Sequence, residues 1–232
     1  MRLRDYRPTD LPYLYEICLK TGHSGQDATA LFEDPYLIGQ FYAAPYAFFD
    51  PRCVLILEGE VPGGIVRPLG YVLGTADTQA FRAWFDREWR PGAAALYPPA
   101  PLPASTEAAA TTGAAPGAGA PPTVAGGQGG AAGALPPFAW RIRALFHKPF
   151  PDEPWIADYP GHLHIDLLPA AQGAGWGRRL MQAFEKRLQV LGCPGYHLGV
   201  GARNEPAIAF YRRLGLQELA APGWGFVFGR KF

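Results

Sequence analysis

The sequence predicts a single domain of the α/β (α+β) class, over residues 1–232, in which a mixed sheet of about six or seven strands is flanked by helices. Two observations lead to this prediction. Short apolar runs typical of strands alternate along the chain with segments whose apolar residues recur every three or four positions, as they do in helices. The 232 residues, of which 48% are hydrophobic, also suffice for one substantial core but not for two generous ones.

Composition and charge limit the partners that we expect. The 21 basic residues nearly balance the 20 acidic ones, so no net field favours nucleic acid or an anionic membrane, and a small molecule or a peptide is the expected partner. Cys18, Cys53 and Cys193 form no Cys-x-x-Cys pair, which argues against a disulfide framework and a structural zinc site. The charged start at 1–7 lacks the apolar core of a secretory signal. We therefore expect a cytoplasmic protein that is a monomer or a homodimer.

The N-terminal quarter predicts a strand and two helices. Residues 3–6 form the first strand, Thr9 or Asp10 can cap the helix that follows, and Gly22 ends that helix. Aromatic and aliphatic residues then gather between 31 and 42, where we expect a second helix that forms a wall of a substrate pocket. Simple core packing is the alternative for each of these residues.

A hairpin and a further helix come next. Two compact apolar runs, 53–57 and 69–73, are separated by glycines and a proline, which predicts a β-hairpin. After it, aromatic residues recur at helical spacing from Phe81, with charged residues on the other side, and predict an amphipathic helix up to Pro91.

A low-complexity segment occupies residues 98–137. It consists almost entirely of Ala, Gly, Pro and Thr, with Glu107 as its only charge. Because such a segment has little apolar surface to bury against the entropy of ordering, we expect a flexible and dispensable surface insertion. A lid over an active site is the alternative.

A glycine-rich turn at 172–177 separates an apolar strand pattern, closed by Pro169, from an amphipathic helix pattern. Its three glycines leave backbone N–H groups unobstructed, and the first turn of the helix adds unpaired donors and a positive dipole end. The turn therefore predicts an anion site. The Lys and the Ser or Thr of a nucleoside-triphosphate loop are absent, since Arg178 and Arg179 follow Gly177.

A second helix start lies downstream of a strand predicted at 196–200. Asn204 has the position of an N-cap, Tyr211 lies on the apolar stripe of the helix, and Gly215 is its stop. A final hairpin is predicted from the segments 216–219 and 224–228.

Two motifs in these segments resemble those of one superfamily. The order Gln-x-x-Gly-x-Gly at 172–177 resembles motif A of the GCN5-related N-acetyltransferase (GNAT) superfamily. Residues 204–216, which begin Asn-x-x-Ala-x-x-Phe-Tyr, resemble its motif B. The two motifs occur in the right order with one strand between them, so the chain is identified as a candidate member.

The resemblance implies a GNAT fold, with two central parallel strands that splay apart, and acetyl-coenzyme A (acetyl-CoA) as co-substrate with no metal. It implies that the glycine turn holds the pyrophosphate, that the backbone of Leu167 and Leu168 pairs with the pantetheine arm, and that Tyr211 lies near the thioester sulfur. Arg178 or Arg179 reaches a phosphate in this scheme, with a solvated helix face as the alternative. The cofactor-binding residues implied in this way are Leu167, Leu168, Gln172, Gly173, Ala174, Gly175, Trp176, Gly177, Arg178, Asn204 and Tyr211.

Acetyl transfer by direct attack needs an uncharged amine, a polarised thioester and a proton for the departing thiolate. Tyr211 is the candidate acid. His162, His164 and Asp166 alternate on one strand and therefore share a face, so Asp166, or else His164, is the candidate base, acting directly or through water. A structural role for Asp166 and a zinc site on the same face are the alternatives.

A finer resemblance involves residues 21–29 and 159–169, which look like the acetyltransferase-like domain attached to animal O-GlcNAcases and its free-standing bacterial relatives. The attached domains are suspected of having lost acetyl-CoA binding, whereas the glycines are intact here. The sequence therefore predicts an acetyl-CoA-dependent N-acetyltransferase acting on a primary amine of a small molecule or peptide. A non-catalytic acetyltransferase-like binding or regulatory module is the alternative.

Overall fold

A seven-stranded mixed sheet runs through the computed structural model, which describes residues 1–99 and 137–232. The strand order is β1-β2-β3-β4-β5-β7-β6, and every neighbouring pair is antiparallel except β4 and β5. This confirms the predicted mixed sheet. The insertion predicted at 98–137 falls, but for its two ends, outside the described residues. The strands are β1 (Arg2–Asp5), β2 (Val54–Val61), β3 (Ile65–Thr75), β4 (Gly161–Leu167), β5 (Gly195–Gly201), β6 (Gln217–Ala220) and β7 (Gly225–Lys231).

Helices cover both faces of the sheet. The first six described α-helices pack with one apolar cluster, and the last two pack with a second cluster on the opposite face. In the described part of the chain, no helix combines the length and the apolar character needed to cross a bilayer. The helices are α1 (Leu11–Thr21), α2 (Gly39–Tyr42), α3 (Ala44–Phe49), α4 (Thr78–Trp84), α5 (Arg90–Leu96), α6 (Phe138–Leu145), α7 (Trp176–Val190) and α8 (Glu205–Arg213).

Strict alternation along the central strands divides the core between the two faces. On β2, Val54 and Ile56 belong to the cluster under the first six helices, whereas Leu55 and Leu57 belong to the cluster under α7 and α8. All four side chains are at most 5% exposed, so this strand is covered on both sides. A continuous apolar run is what such a doubly covered strand requires.

The sheet opens between its two parallel strands. β4 and β5 pair only at Gly161 with Tyr196 and at His162 with His197. β4 continues to Leu167 and β5 to Gly201 without further pairing between them. The splay that the resemblance implied is therefore present, and it leaves a gap in the middle of the sheet.

The N-terminal segments differ in detail from the predictions. Neither Thr9 nor Asp10 caps α1 through its side chain. The Asp10 carboxylate instead accepts hydrogen bonds from Arg4, at 2.6 and 2.8 Å, and from the backbone N–H of Arg7, at 2.8 Å. The nearby guanidinium offers a charged donor, which is a stronger partner than a backbone amide. Of the aromatic segment at 31–42, only residues 39–42 are α-helical, as α2, and α3 follows beyond its end.

Pro91 does not end the amphipathic helix, contrary to the prediction. A single π-helical turn, Phe85–Trp89, joins α4 to α5, and α5 continues to Leu96. Pro91 lies in the first turn of α5, where a missing N–H removes no helical hydrogen bond. The proline therefore starts a new helical segment instead of stopping the old one.

Candidate functional site

A cleft of about 570 Å³ lies where β4 and β5 diverge. Thr21 and Tyr42 line it from the face covered by the first six helices, and Phe210 and Tyr211 line it from the face covered by α7 and α8. The cleft therefore passes through the plane of the sheet, and it joins the two faces at the splay.

The predicted glycine turn forms one end of this cleft. Gly173 and Gly175 have positive φ angles of 81° and 78°, and an added Cβ at either would meet no atom within 4 Å. Gly177 differs, because its added Cβ would lie 3.2 Å from the Phe210 ring. Two of the glycines thus shape an open turn, and the third permits α7 to pack against α8.

The turn delivers α7 with its N-terminus toward the cleft. Gly175 is the N-cap residue, and the first helical hydrogen bond runs from the Arg179 N–H to the Gly175 carbonyl. The amides of the first turn before Arg179 therefore have no acceptor within the helix, which suits an anion. Arg178 is exposed, and the Arg179 guanidinium lies over the Trp176 ring at 4.5 Å from its centroid.

At the free edge of β4, one of the two residues predicted to pair with the pantetheine arm has no free backbone group. Both backbone groups of Leu168 are used within the protein: its N–H donates to Leu69 and its carbonyl accepts from Ala171, each at 2.8 Å. The Leu167 carbonyl accepts the Gln172 side-chain amide at 2.8 Å. Backbone groups of successive strand residues point to opposite edges of the strand. Because Leu168 bonds to β3, the backbone groups of Ile165, three positions earlier, point away from β3 and into the gap. The exposed main chain is thus centred on Ile165 rather than on Leu168.

Asn204 is the N-cap of α8, as predicted, and its side-chain oxygen accepts the Ala207 N–H at 3.3 Å. It also borders the far side of the cleft, because an added Cβ at Gly25 would lie 3.9 Å from Oδ1 and 4.0 Å from Nδ2 of Asn204. The turn after α1 and the start of α8 therefore meet at this residue.

Tyr211 projects from α8 into the cleft and is 8% exposed. Its ring packs on Phe228 at a centroid distance of 5.7 Å, but its hydroxyl makes no hydrogen bond to another residue of the described ranges. Burial, together with the negative charge of Asp166, raises the pKa of Tyr211 above its ordinary value of 10.0. The hydroxyl therefore stays protonated near neutral pH and is available to a ligand.

Asp166 is the only carboxylate among the described residues that line the cleft. It lies directly opposite Tyr71 in the β3–β4 register, and its Oδ2 accepts the Tyr71 hydroxyl at 2.7 Å. The side chain is half-buried, and burial raises its pKa above 3.8, although the hydrogen bonds from Tyr71 and Thr21 act in the opposite direction.

His162 and His164 lie on the same strand face as Asp166, as the alternation predicted. Both Nε2 atoms lie within hydrogen-bond distance of the Tyr46 hydroxyl, at 2.8 Å for His162 and 3.0 Å for His164. Burial lowers the pKa of His162 well below 6.5 and that of His164 to about 4. Both rings are therefore neutral near pH 7. His164 lines the cleft, whereas His162 lies behind it.

Sequence reasoning missed the residues that hold these groups. Tyr46, Tyr71 and Thr78 are buried and bond to His162, His164 or Asp166 across 84 to 118 positions of sequence. No local pattern marks such a distant partner. Of the aromatic segment expected to form a pocket wall, Ile38 and Tyr42 do line the cleft, while Phe41 and most of the others pack in the core.

Metal ligation was the alternative use of this histidine-bearing face. Within residues 1–99 and 137–232, no group of three or more His, Cys, Asp or Glu side chains is arranged to hold a metal ion. The Nε2 atoms of His162 and His164 both contact the Tyr46 hydroxyl, which occupies the position between them.

Comparisons with known proteins agree on one family. The family model described as Acetyltransferase (GNAT) family matches residues 144–216, which include the glycine turn and α8. A crystal structure of a protein named SsHAT is 35% identical, with 99% of this chain and 97% of that chain covered and a TM-score of 0.77. A second crystal structure, described as an acetyltransferase, is 13% identical over 100% of this chain and 99% of that one, with a TM-score of 0.52, which shows likeness of fold alone.

Proposed function

The chain belongs to the GNAT family of acetyltransferases, and from that premise we propose that it is an acetyl-CoA-dependent N-acetyltransferase that acts on a primary amine. The observation that carries the proposal is the cleft at the splay. Among the residues that the structure describes, a tyrosine hydroxyl without a protein partner and one carboxylate line this cleft, together with a helix N-terminus that follows a glycine turn. These are the groups that a diphosphate-bearing thioester and an amine require.

The side of the cleft formed by α7 and α8 suits the donor. Open space above Gly173 and Gly175 leaves room for a pyrophosphate against the first-turn amides of α7. The backbone of Ile165, exposed in the gap, supplies a donor and an acceptor for the amides of a pantetheine arm. Such an arm would continue the sheet between β4 and β5 and would direct its sulfur end toward Tyr211.

The reaction that we propose forms one bond and breaks another. The amine nitrogen attacks the thioester carbonyl, the C–N bond forms, and collapse of the tetrahedral intermediate breaks the C–S bond. Tyr211 donates its proton to the departing thiolate. The proton lost from the nitrogen goes to a base, so the products are an N-acetyl amide and free coenzyme A.

Asp166 is our first candidate for that base. Its raised pKa brings the carboxylate closer to the range in which a general base works at neutral pH. Its negative charge also attracts the acceptor while the latter is still an ammonium ion. His164 and a water molecule remain the other candidates, and they differ in that neither would add a charge to the site.

The acceptor that we propose is a small molecule or a peptide, and the protein is proposed to work in the cytoplasm. All three cysteines are buried free thiols, which suits a reducing compartment. The resemblance to the acetyltransferase-like domain of O-GlcNAcases stays a prediction, because the matches identify the family and not that branch of it.

The test measures release of the coenzyme A thiol from acetyl-CoA in the presence of amines, amino acids, aminoglycosides and peptides. We expect thiol release with at least one class of primary amine, and calorimetric binding of acetyl-CoA in its absence. Cofactor binding without turnover on any acceptor would favour the non-catalytic binding module. Absence of cofactor binding would remove both the enzyme and the cofactor assignment.

A further inference from the structure

A chain of hydrogen bonds leads from a buried backbone carbonyl to the wall of the cleft. The Thr78 hydroxyl lies 2.7 Å from the Pro160 carbonyl oxygen and 2.7 Å from Nδ1 of His162. Nε2 of His162 and Nε2 of His164 both contact the Tyr46 hydroxyl, at 2.8 and 3.0 Å. None of the four side chains is more than 9% exposed. Each group can donate only the protons that it carries. The direction of one hydrogen bond in this chain therefore fixes the direction of the next.

The carbonyl of Pro160 sets the direction at one end. A carbonyl oxygen only accepts, so the single hydroxyl proton of Thr78 must point at Pro160. The alternative would bring two oxygen lone pairs face to face at 2.7 Å. The Thr78 oxygen therefore accepts from His162, and the proton of that ring lies on Nδ1.

The direction then passes to His164. Burial keeps His162 neutral, so its Nε2 carries a lone pair and the Tyr46 hydroxyl donates to it. The Tyr46 oxygen is left to accept, and its other neighbour, Nε2 of His164, must carry a proton. His164 is neutral as well, so its Nδ1 bears a lone pair.

That lone pair has no partner in the described part of the protein. Nδ1 of His164 makes no hydrogen bond to a described residue, and it is not among the polar atoms sealed from solvent without a partner. His164 lines the cleft, so the exposed part of its ring faces the space where a ligand would lie. Nδ1 of His164 is therefore a neutral hydrogen-bond acceptor for a ligand in the cleft.

We propose that Thr78, His162 and Tyr46 are positioning residues that hold His164 as its Nε2–H tautomer, so that Nδ1 accepts a hydrogen bond from an N–H of the acceptor amine. The identity of the ligand rests on the proposed function, whereas the tautomer does not. The chain orients His164 and does not relay protons, because its far end is a carbonyl that cannot take one up. A ligand that presents a carbonyl oxygen at this point would meet a lone pair and be disfavoured.

The first test is the protonation pattern of the histidine rings in the ligand-free protein. With ¹⁵N in the rings of the five histidines, long-range ¹H–¹⁵N correlation separates protonated from unprotonated ring nitrogens. His164→Gln assigns the His164 signals by their loss. We expect Nε2 of His164 and Nδ1 of His162 to be protonated at pH 7.5. A protonated Nδ1 on His164, or an averaged ring, would overturn the proposal.

The second test breaks the chain at its origin, far from the cleft. Thr78→Val removes the hydroxyl and with it the preference for one direction, so we expect the reversed tautomer of His164 to rise from a trace to about half or more. Thr78→Ser keeps the hydroxyl and should keep the wild-type pattern. Thr75→Val is the control for loss of a buried threonine hydroxyl beside the same histidine. Thr75 lies opposite His162 in the β3–β4 register and is 1% exposed, but its hydroxyl bonds to the backbone of Asp77 and to no histidine of the described residues.

An unchanged His164 ring in Thr78→Val would remove Thr78 from the proposal. If Thr78→Val does not fold, Tyr46→Phe interrupts the same chain two hydrogen bonds closer to the cleft, and the wild-type spectrum still decides the tautomer. For an acceptor found by thiol release, kcat/KM should fall about tenfold in Thr78→Val and stay within about twofold in Thr75→Val. If NMR shows the predicted tautomer but no amine is acetylated, the proposed function is wrong and the tautomer assignment still holds.

Discussion

The two sides of the cleft offer different kinds of group to a ligand. On the side of α7 and α8 the groups offered to a ligand are mostly main chain: the glycine turn, the first-turn amides of α7 and the exposed edge of β4. On the side of α1 to α3 they are side chains, Asp166 and His164, each held by a buried tyrosine. The first side depends on glycines, which have no side chain to cover the backbone. The second side depends on side chains that residues distant in sequence hold in place.

This difference separates what is general to the family from what is particular to this chain. A main-chain site suits a co-substrate that is the same for every member, because backbone amides recur in any sequence that forms the turn. A side-chain site varies with each substitution, so it suits the acceptor. Tyr211 stands at the junction, since it comes from α8 and interacts electrostatically with Asp166 across the gap.

The largest effect is expected at that junction. Tyr211→Phe keeps the ring packing on Phe228 but removes the proton for the thiolate, so kcat should fall by about 10² to 10⁴ with little change in the affinity for acetyl-CoA. Steady-state kinetics and calorimetry measure the two quantities separately. Wild-type turnover in this variant would take Tyr211 out of the mechanism and leave the junction without a chemical role.

The main-chain side is tested by adding bulk and charge to its turn. Gly175→Glu places a carboxylate where the pyrophosphate is proposed to lie, and we expect the affinity for acetyl-CoA to fall at least about 10²-fold through steric overlap and charge repulsion. Calorimetric titration of the variant gives the value. Normal affinity would refute the assignment of the turn.

Backbone strain needs its own control in that experiment. Gly192 follows the same helix at its other end, with a φ of 75° against 78° at Gly175, and an added Cβ there also meets no atom within 4 Å. Gly192→Glu therefore carries the same charge and a similar conformational penalty far from the cleft. It should lose stability to a similar degree and bind acetyl-CoA normally.

The sequence predicts the main-chain side of the cleft better than the side-chain side. The turn at 172–177 and the cap at Asn204 are local signals, because glycine and asparagine act on backbone within a few residues. The opening of the sheet came from the family resemblance. Tyr46 and Tyr71 gave no signal, since they come within reach of His164 and Asp166 only when β3, β4 and α3 pack together. The π-turn before Pro91 was missed for a local reason, because a proline that stops one helix can also start another.

The side-chain side is tested by removing its charge. Asp166→Asn keeps an oxygen that can accept from Tyr71 but loses the negative charge and the basic site, so kcat/KM for an amine should fall roughly 10- to 100-fold. The affinity for acetyl-CoA should hardly change. An unaltered kcat/KM would shift the role of base to His164 or water.

The same variant makes a prediction about stability and pH. The pKa of Asp166 is raised in the folded protein, so the native state binds its proton more tightly than the unfolded chain does. Ionised Asp166 therefore lowers stability above its folded pKa, and this cost disappears as the pH falls below the ordinary value of 3.8. Melting temperatures should favour Asp166→Asn at neutral pH, by a margin that shrinks toward pH 4. A margin that grows on acidification would mean that burial does not govern this carboxylate.

The smallest effect is expected at Asn204, where the two sides of the cleft meet. Its side chain caps α8, so Asn204→Ala should cost about 1 kcal/mol of unfolding free energy, whereas Asn204→Asp keeps an accepting oxygen and should cost little. Chemical denaturation measures both. If Asn204→Ala weakens acetyl-CoA binding while Asn204→Asp does not, the cap that orients α8 and Tyr211 explains the loss. A loss of affinity in both variants would instead mean that the side-chain amide of Asn204, which borders Gly25, itself contacts the pantetheine arm.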